Sequence, residues 1–445
     1  MNSSIYLVSL GCDKNRVDGE TMIGTLRTAG YQVINEPAEA AAIVVNTCGF
    51  IRDAVQESID LILDLSEHKT DGECQALIVV GCMAARYRGE ILQAIPETDV
   101  IVGVGEYENI AEVVENLIGA PPLSEKTTST IARIAARSDD VTPHIAYVKI
   151  AEGCDNYCTY CTIPSIRGAY RSRSMEDILH ECKALVNAGA KELVLVAQDT
   201  ALYGTDIYGE KRLPKLLRLL AKESGATWIR LMYAYPEHIT DELIQAMAAL
   251  PQVCKYIDMP IQHSENSVIK RMGRGGSKEK LLELVQKLRD KMPDIAIRTT
   301  LIVGFPGESS RDFENMMQFV REVRFDRLGV FPYSREDGTP AATMPQQVRE
   351  STKQDRLAAI MDLQQRIHFE KQEAQAGKIL DVIVDSVNEN GEYTGRTQYD
   401  AYEVDAVVNF SSDIKLSQGL GDICKVKILG SDQYDLRGEY EHEPT

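Results

Sequence analysis

The stretch "AYVKIAEGCDNYCTYCTIP", residues 146–164, changes character halfway. Its first seven residues read as a β-strand. Cys154, Cys158 and Cys161 then fall within eight positions, with no fourth ligand beside them. Thiolates at this spacing suit a soft metal or an iron–sulfur cluster. A structural zinc is normally closed by four ligands, and His144, ten residues upstream of Cys154, offers one way to complete a tetrahedron. Three thiolates on a 4Fe-4S cube instead leave one iron open to a small molecule. A loop of this kind after a parallel strand sits where α/β folds place their chemistry.

Downstream, a strand-then-helix unit recurs every roughly 30 to 40 residues. The strands expected are "AYVKIAE" (146–152), "ELVLVAQ" (192–198), "WIRLMYAY" (228–235), "KYIDMPIQ" (255–262), "AIRTTLIVG" (296–304) and "RLGVFPYS" (327–334). Helical stretches such as "SMEDILHECKALVNAG" separate them. Six parallel strands with crossover helices make a partial (β/α)6 barrel whose active site belongs at the C-terminal mouth of the strands. The charged helix "STKQDRLAAIMDLQQRIHFEKQEAQAG" (351–377) closes this unit. The remainder alternates apolar and polar between Gly and Asn turns, as a small antiparallel β-barrel of about five strands does.

Upstream, "IYLVSL" (5–10), "AAIVVN" (41–46) and "ALIVVG" (76–81) are nearly continuous apolar runs with helical patterns between them. They predict a doubly wound α/β domain. Cys12, Cys48 and Cys82 each lie at or just past the end of one of these strands. Thiols at the carboxyl ends of three parallel strands can converge on one crevice. An ordinary buried cysteine at each place is the alternative, since cysteine is among the most buried residue types. The domains expected are 1–120, a linker at 121–139, a core at 140–372 and the barrel at 375–441.

With 44% hydrophobic and 26% charged residues, the 445-residue chain has the composition of a globular protein rather than a disordered one. No apolar run approaches the roughly 18 residues of a membrane span. The N-terminus lacks a basic n-region, so a cytoplasmic location is expected, where the ten cysteines stay reduced and serve metals or catalysis rather than disulfides. The net charge of −19 repels phosphate backbones and favours basic partners, unless a local basic groove overrides it.

A CxxxCxxC motif with Tyr160 before its last cysteine, opening a six-fold β/α repeat, resembles the radical S-adenosylmethionine (SAM) superfamily over about residues 140–372. The resemblance implies that SAM chelates the open iron and is cleaved reductively to a 5′-deoxyadenosyl radical, with Tyr160 placed to cover the cofactor. Joined to the N-terminal cysteines and a terminal barrel, the chain is similar to the methylthiotransferases along nearly its whole length. "LGCDKNRVDGE", "NTCGFI", "GCDNYCTYCTIPSIRG", "RTTLIVGFPGE" and "YSREDGTPAA" carry the likeness, and the terminal module looks like a TRAM domain. That family uses two 4Fe-4S clusters. By match, Cys154, Cys158 and Cys161 hold the SAM cluster, and Cys12, Cys48 and Cys82 the auxiliary one through which sulfur is delivered. The net change replaces C–H by C–S–CH₃. Acid–base catalysis cannot do this, because an unactivated C–H bond offers no proton to a side-chain base.

Two branches of the family differ in substrate: the RimO-type branch modifies an aspartate β-carbon of small-subunit ribosomal protein S-twelve, and the MiaB-type branch an adenosine in tRNA. "WIRLMYAYPEHI", "RFDRLGVFPYSREDGTPAA" and "GRTQYDAYEVDAVV" resemble the protein-modifying branch. From Lys378 onward, acidic residues far outnumber basic ones, which suits a basic ribosomal protein better than RNA. Scattered carboxylates that merely solvate the surface are the plainer explanation of that charge. The tRNA substrate stays as the alternative, and an electron donor is a required partner. A zinc-stabilised RNA-binding protein is the reading from a different class.

Other positions invite a role. Gly304 and Gly307 would allow the backbone close to SAM, and Glu308 could bind its ribose or amino group, although a bare β–α turn explains the glycines too. Gln198 and Asp199 end the second barrel strand, and Gln262 and His263 the fourth, which makes them candidates for SAM or substrate contacts. His263 is equally a core histidine. Tyr233 and Tyr235 read as strand packing or as the substrate mouth. Arg335 is a candidate partner for a substrate carboxylate, with a surface ion pair as its default. Cys74, Cys182, Cys254 and Cys424 fall outside both triads. "GRGGSKEK" (273–280) lacks the phosphate-loop spacing and reads as a flexible loop capped by Ser277.

Overall fold

The computed structural model describes residues 3–119, 143–412 and 420–441. The expected linker at 121–139 lies outside them, as do Asp413, Lys415 and Glu443 of the acidic terminal module. The N-terminal strands are β1 (Ser4–Ser9), β2 (Gln32–Ile34), β3 (Ala42–Thr47), β4 (Ala76–Gly81) and β5 (Val100–Val102), in the order β2-β1-β3-β4-β5. Every pairing is parallel. All six residues of β3 and of β4 are buried, which is why these runs are apolar without alternation. The two edge strands, β2 and β5, have three residues each and are too short to announce themselves as apolar runs.

The second sheet contains β6 (Ile145–Lys149), β9 (Glu192–Val196), β10 (Trp228–Leu231), β11 (Val253–Asp258), β12 (Ala296–Val303) and β13 (Arg327–Pro332). Its order is β13-β12-β11-β10-β9-β6, so the ends do not pair and the barrel stays open. Between β6 and β9, a short antiparallel ribbon of β7 (Ala151–Glu152) and β8 (Arg171–Ser172) clamps the base of the cysteine loop. The strand expected through 235 stops at Leu231, because Tyr233 adopts φ 57° and leaves the sheet. Its backbone N–H donates instead to Asp258 Oδ2 at 3.1 Å. Ser174 and Ser277 cap the helices Met175–Asn187 and Lys278–Lys291 by accepting from the Asp177 and Lys280 N–H groups.

The terminal strands β14 (Ile379–Val387), β15 (Tyr393–Thr397), β16 (Val408–Ser411), β17 (Ile423–Asp432) and β18 (Asp435–Tyr440) form a closed barrel, β14-β15-β16-β18-β17. The expected antiparallel arrangement is broken once, where β16 runs parallel to β18. An odd ring forces this: five strands cannot alternate direction all the way round. Part of the barrel's acidity is spent on docking rather than on its surface. Asp385 Oδ1 lies 2.8 Å from His144 Nε2, Asp400 pairs with Arg327, and Asp405 accepts from Tyr256 at 2.7 Å. No helix among the described residues is long and apolar enough to cross a membrane.

Candidate functional site

The carboxyl ends of both parallel sheets open onto one cavity of about 450 Å³, and all six cysteines of the two triads line it. Each is a free thiol. On the core side, Gly153 (φ 78°) turns the chain into the cysteine loop. A β-carbon there would lie 2.1 Å from the Ala169 carbonyl oxygen, so only glycine fits. The loop is tied down by Cys154 N–H to Gly168 O at 3.1 Å and by Thr159 N–H to Met272 O at 2.9 Å. The Ile163 N–H donates to Cys161 Sγ at 3.4 Å, and the Tyr235 hydroxyl stands 3.7 Å from Cys158 Sγ. Burial pushes the Cys154 thiol up to about 11 and Cys161 to about 12, with the neighbouring triad sulfurs adding to both. A cationic metal centre beside these thiols would lower those values and displace the protons.

Tyr160 and Gln198 reach the cavity wall. Tyr160 packs edge-on against Phe305 with ring centroids 6.5 Å apart. Gln198 donates to Glu152 Oε1 at 2.8 Å, while its own Oε1 is buried with no partner and stands ready to accept from a bound group. Gln262 also lines the wall, at φ 68°. Gly304 and Glu308 are placed behind that wall. Glu308 Oε2 accepts from the Gly304 and Phe305 N–H groups at 2.7 and 3.2 Å, and Arg356 holds Oε1 at 2.7 Å. Its carboxylate thus shapes the turn. His263 lies fully buried beside it, Nε2 3.5 Å from Glu308 Oε2. Asp199 is committed to Asn156 at 3.1 Å and His238 at 2.6 Å. Arg335 is exposed and is not among the lining residues.

On the N-terminal side, Cys12 is the N-cap residue of the helix Asp13–Thr28 and Cys82 begins the helix Cys82–Arg86. Gly11, at φ 91°, brings this turn so close that a β-carbon on it would lie 3.0 Å from Cys48 Sγ. Asn15 ties two strand ends together, donating to Leu10 O at 2.6 Å and Thr47 O at 3.1 Å. Burial raises the Cys82 thiol to about 11 while Arg167 lowers it and the Cys12 and Cys48 thiols raise it further, as expected of three converging sulfurs.

Arg167, in "CTIPSIRG", is the residue that joins the halves, and the motif that contains it singled out only its cysteines and Tyr160. Its Nη2 donates to Cys82 Sγ at 3.3 Å, and Nη1 contacts Asp18 Oδ2 at 3.1 Å and Glu152 Oε1 at 2.9 Å. Lys149 adds a second cation, 2.5 Å from both Asp18 Oδ1 and Glu152 Oε2. Burial alone would raise the Glu152 carboxyl, but Lys149 and Arg167 hold it at about 2. Arg274 was also overlooked, inside the supposedly flexible "GRGG" loop. It lies 3.8 Å over the Tyr235 ring and 3.2 Å from Glu237.

The zinc alternative meets an obstacle in His144. It sits before β6, at the opposite end from the cysteine loop, with Nε2 on Asp385 Oδ1 at 2.8 Å. Among the described residues no three His, Cys, Asp or Glu side chains are arranged to hold a single metal ion. What the triads share is a cavity wide enough for larger groups.

Three family models match the chain: the radical SAM superfamily over residues 148–320, the uncharacterized protein family UPF0004 over 4–103, and the TRAM domain over 376–440. The ribosomal protein uS12 methylthiotransferase RimO of Desulforamulus reducens is 48% identical over 98% of this chain and 99% of its own length. The proteins of that name from Desulfitobacterium hafniense and Clostridioides difficile are 46% and 45% identical, each over 99% of both chains. Among solved structures, the radical SAM methyltransferase TsrM of Kitasatospora setae, with cobalamin and a [4Fe-4S] cluster bound, superposes with a TM-score of 0.56 at 13% identity, covering 77% of this chain and 74% of that one. The fold is therefore that of radical SAM enzymes. With near-full-length identity far above what a shared fold alone gives, the chain belongs to the RimO family of radical SAM methylthiotransferases.

Proposed function

We propose that this protein inserts a methylthio group at the β-carbon of an aspartate in ribosomal protein uS12, using two 4Fe-4S clusters and SAM. The observation that carries the reading is that two cysteine triads, from separate parallel sheets, face one cavity. Cys154, Cys158 and Cys161 would hold the cluster that binds SAM, and Cys12, Cys48 and Cys82 the auxiliary one. When bound, these groups supply the electron for SAM cleavage and the sulfur. The chain's own residues position and shield: Tyr160 covers the SAM side, and the free Gln198 oxygen accepts from it or from substrate. Phe50 and Phe331 line the cavity and are 41% and 54% exposed, an apolar rim suited to an entering peptide loop. A cytoplasmic place of action and a separate electron donor belong to this reading. The tRNA alternative is not favoured, since the full-length relatives bear the uS12 name.

Anaerobically reconstituted enzyme, given SAM and reductant, is expected to replace one hydrogen of a uS12 aspartate by S–CH₃ and to leave unmodified tRNA unchanged. Mass spectrometry reads both. Modification of tRNA alone would move the chain to the other branch.

The Arg167–Cys82 contact yields a second expectation. Hydrogen bonds to cluster sulfurs help set reduction potentials. Lysine keeps the charge but cannot span Asp18, Glu152 and Cys82 with one planar fork. Arg167→Lys should therefore lower the midpoint potential of the auxiliary cluster and leave the SAM cluster's unchanged in an EPR-monitored redox titration. Two unmoved potentials would confine Arg167 to the interface.

A further inference from the structure

Four cations line the cavity, Lys14, Arg167, Arg274 and Arg298, and no carboxylate does. Three of them are matched from behind the wall. Arg167 has Asp18 and Glu152, Arg274 has Glu237 at 3.2 Å, and Arg298 has Asp258 at 3.1 Å and Asp405 at 3.6 Å. Lys14 differs: among the described residues no acidic group pairs with it, although the residue is only 8% exposed. Its ammonium lies 3.2 Å above the centre of the Tyr233 ring. A π face attracts a cation, but less strongly than a charge-assisted hydrogen bond to a carboxylate does. Buried lysines are nearly always paired, and this chain has 67 carboxylates against 48 basic side chains from which to draw a partner.

The platform under this ammonium is fixed. The Tyr233 hydroxyl donates to Asp13 Oδ2 at 2.8 Å, its N–H donates to Asp258, and its backbone is held at φ 57°. A non-glycine residue in that region is kept only by its surroundings, a cost typical of functional sites. The charge is thereby aimed at the cavity and left without a counterion.

We propose that Lys14 is the receptor for the side-chain carboxylate of the substrate aspartate, an inference that rests on the protein-substrate reading above. The aspartate β-carbon is bonded directly to the carboxylate carbon, so gripping the carboxylate fixes the carbon to be modified. Lys14 stands two residues from Cys12, which places that carbon beside the auxiliary triad. An adenosine offers no carboxylate, so the same contact selects protein over tRNA. Lys14 is then a specificity-determining residue. The competing role is a counterion to the auxiliary cluster itself.

Binding to the reconstituted holoenzyme separates the two, using a uS12 segment that carries the aspartate and the same segment with asparagine there. Wild type should prefer the aspartate form. Lys14→Met should weaken that form about tenfold to a hundredfold and leave the asparagine form unchanged, while Lys14→Arg retains most of the preference. Equal weakening of both forms, or an altered auxiliary-cluster EPR signal with the preference intact, assigns Lys14 to the cluster and overturns the proposal. If Lys14→Met fails to load iron, the wild-type comparison still decides, because equal affinity for both forms is fatal to it. Failure of wild type to methylthiolate uS12 is a separate result, which sinks the substrate reading instead.

Discussion

Cys154→Ala is expected to abolish reductive cleavage of SAM, whereas Cys48→Ala is expected to cleave SAM and insert no sulfur. The two triads share a cavity but not a scaffold: one sits on a loop clamped by β7 and β8, the other on three strand ends of a different sheet. Removing one thiolate from either leaves two for a cube that needs three, so each variant should lose about half of its iron and keep the other cluster's spectrum. Compared as cluster-free proteins, where neither change creates a large void or strands a buried charge, variant and wild type should differ by about 1 kcal/mol. Anaerobic assays of 5′-deoxyadenosine and of methylthiolated uS12, with iron counts and EPR on the same samples, read the division directly. The reverse pattern, with Cys48→Ala losing cleavage, would falsify it. The alanine variants also answer the zinc alternative, since a zinc protein has no EPR signal to lose.

What a linear reading reaches here is whatever is written in consecutive residues. Cys12, Cys48 and Cys82 were legible because each ends a continuous apolar run, and position along a parallel strand converts directly into position on a sheet edge. Cys154, Cys158 and Cys161 were legible through their spacing. The roles of Lys14 and Arg167 were not, although both lie inside quoted motifs, since their surroundings come from afar: Tyr233 for one, Asp18 and Cys82 for the other. Arg335 drew attention as a carboxylate partner because it follows a barrel strand, yet it is exposed, and the unmatched cation lies in the other domain. Glu308 shows the complementary effect. A glutamate after a Gly-Pro turn looks available until folding brings Arg356 and two backbone N–H groups to its oxygens. Edge strands of three residues and the single parallel contact of an odd barrel are properties of the closed sheet and leave no local trace.

The largest loss of stability should follow removal of Glu192, which lies between the core and the barrel with no exposure at all. Its Oε1 takes Arg230 Nε at 2.5 Å and its Oε2 takes Arg396 Nη2 at 2.8 Å. Arg396 continues to Asp385 at 2.7 Å, and Asp385 to His144. Burial alone would raise the Glu192 carboxyl, but the two guanidiniums overcome it and hold it at about 2. Glu192→Ala leaves both guanidiniums buried with half of their compensation gone, a change that costs about 3–5 kcal/mol. The sign with pH follows from the depressed value. The unfolded chain binds the proton more readily, so the contribution is fully present above the ordinary carboxyl value of 4.5 and is lost as pH falls toward 2. Scanning calorimetry should show Glu192→Ala melting earlier at pH 7, with the gap to wild type narrowing as the buffer is acidified through that window. Hydrogen exchange should rise in β14 and β15, because Asp385 and Arg396 anchor those strands to the core. A variant that melts with wild type and keeps its barrel protected would mean that the buried apolar cluster shared by Ile383 and Ala401 of the barrel and Trp228 of the core holds the barrel without the ionic chain.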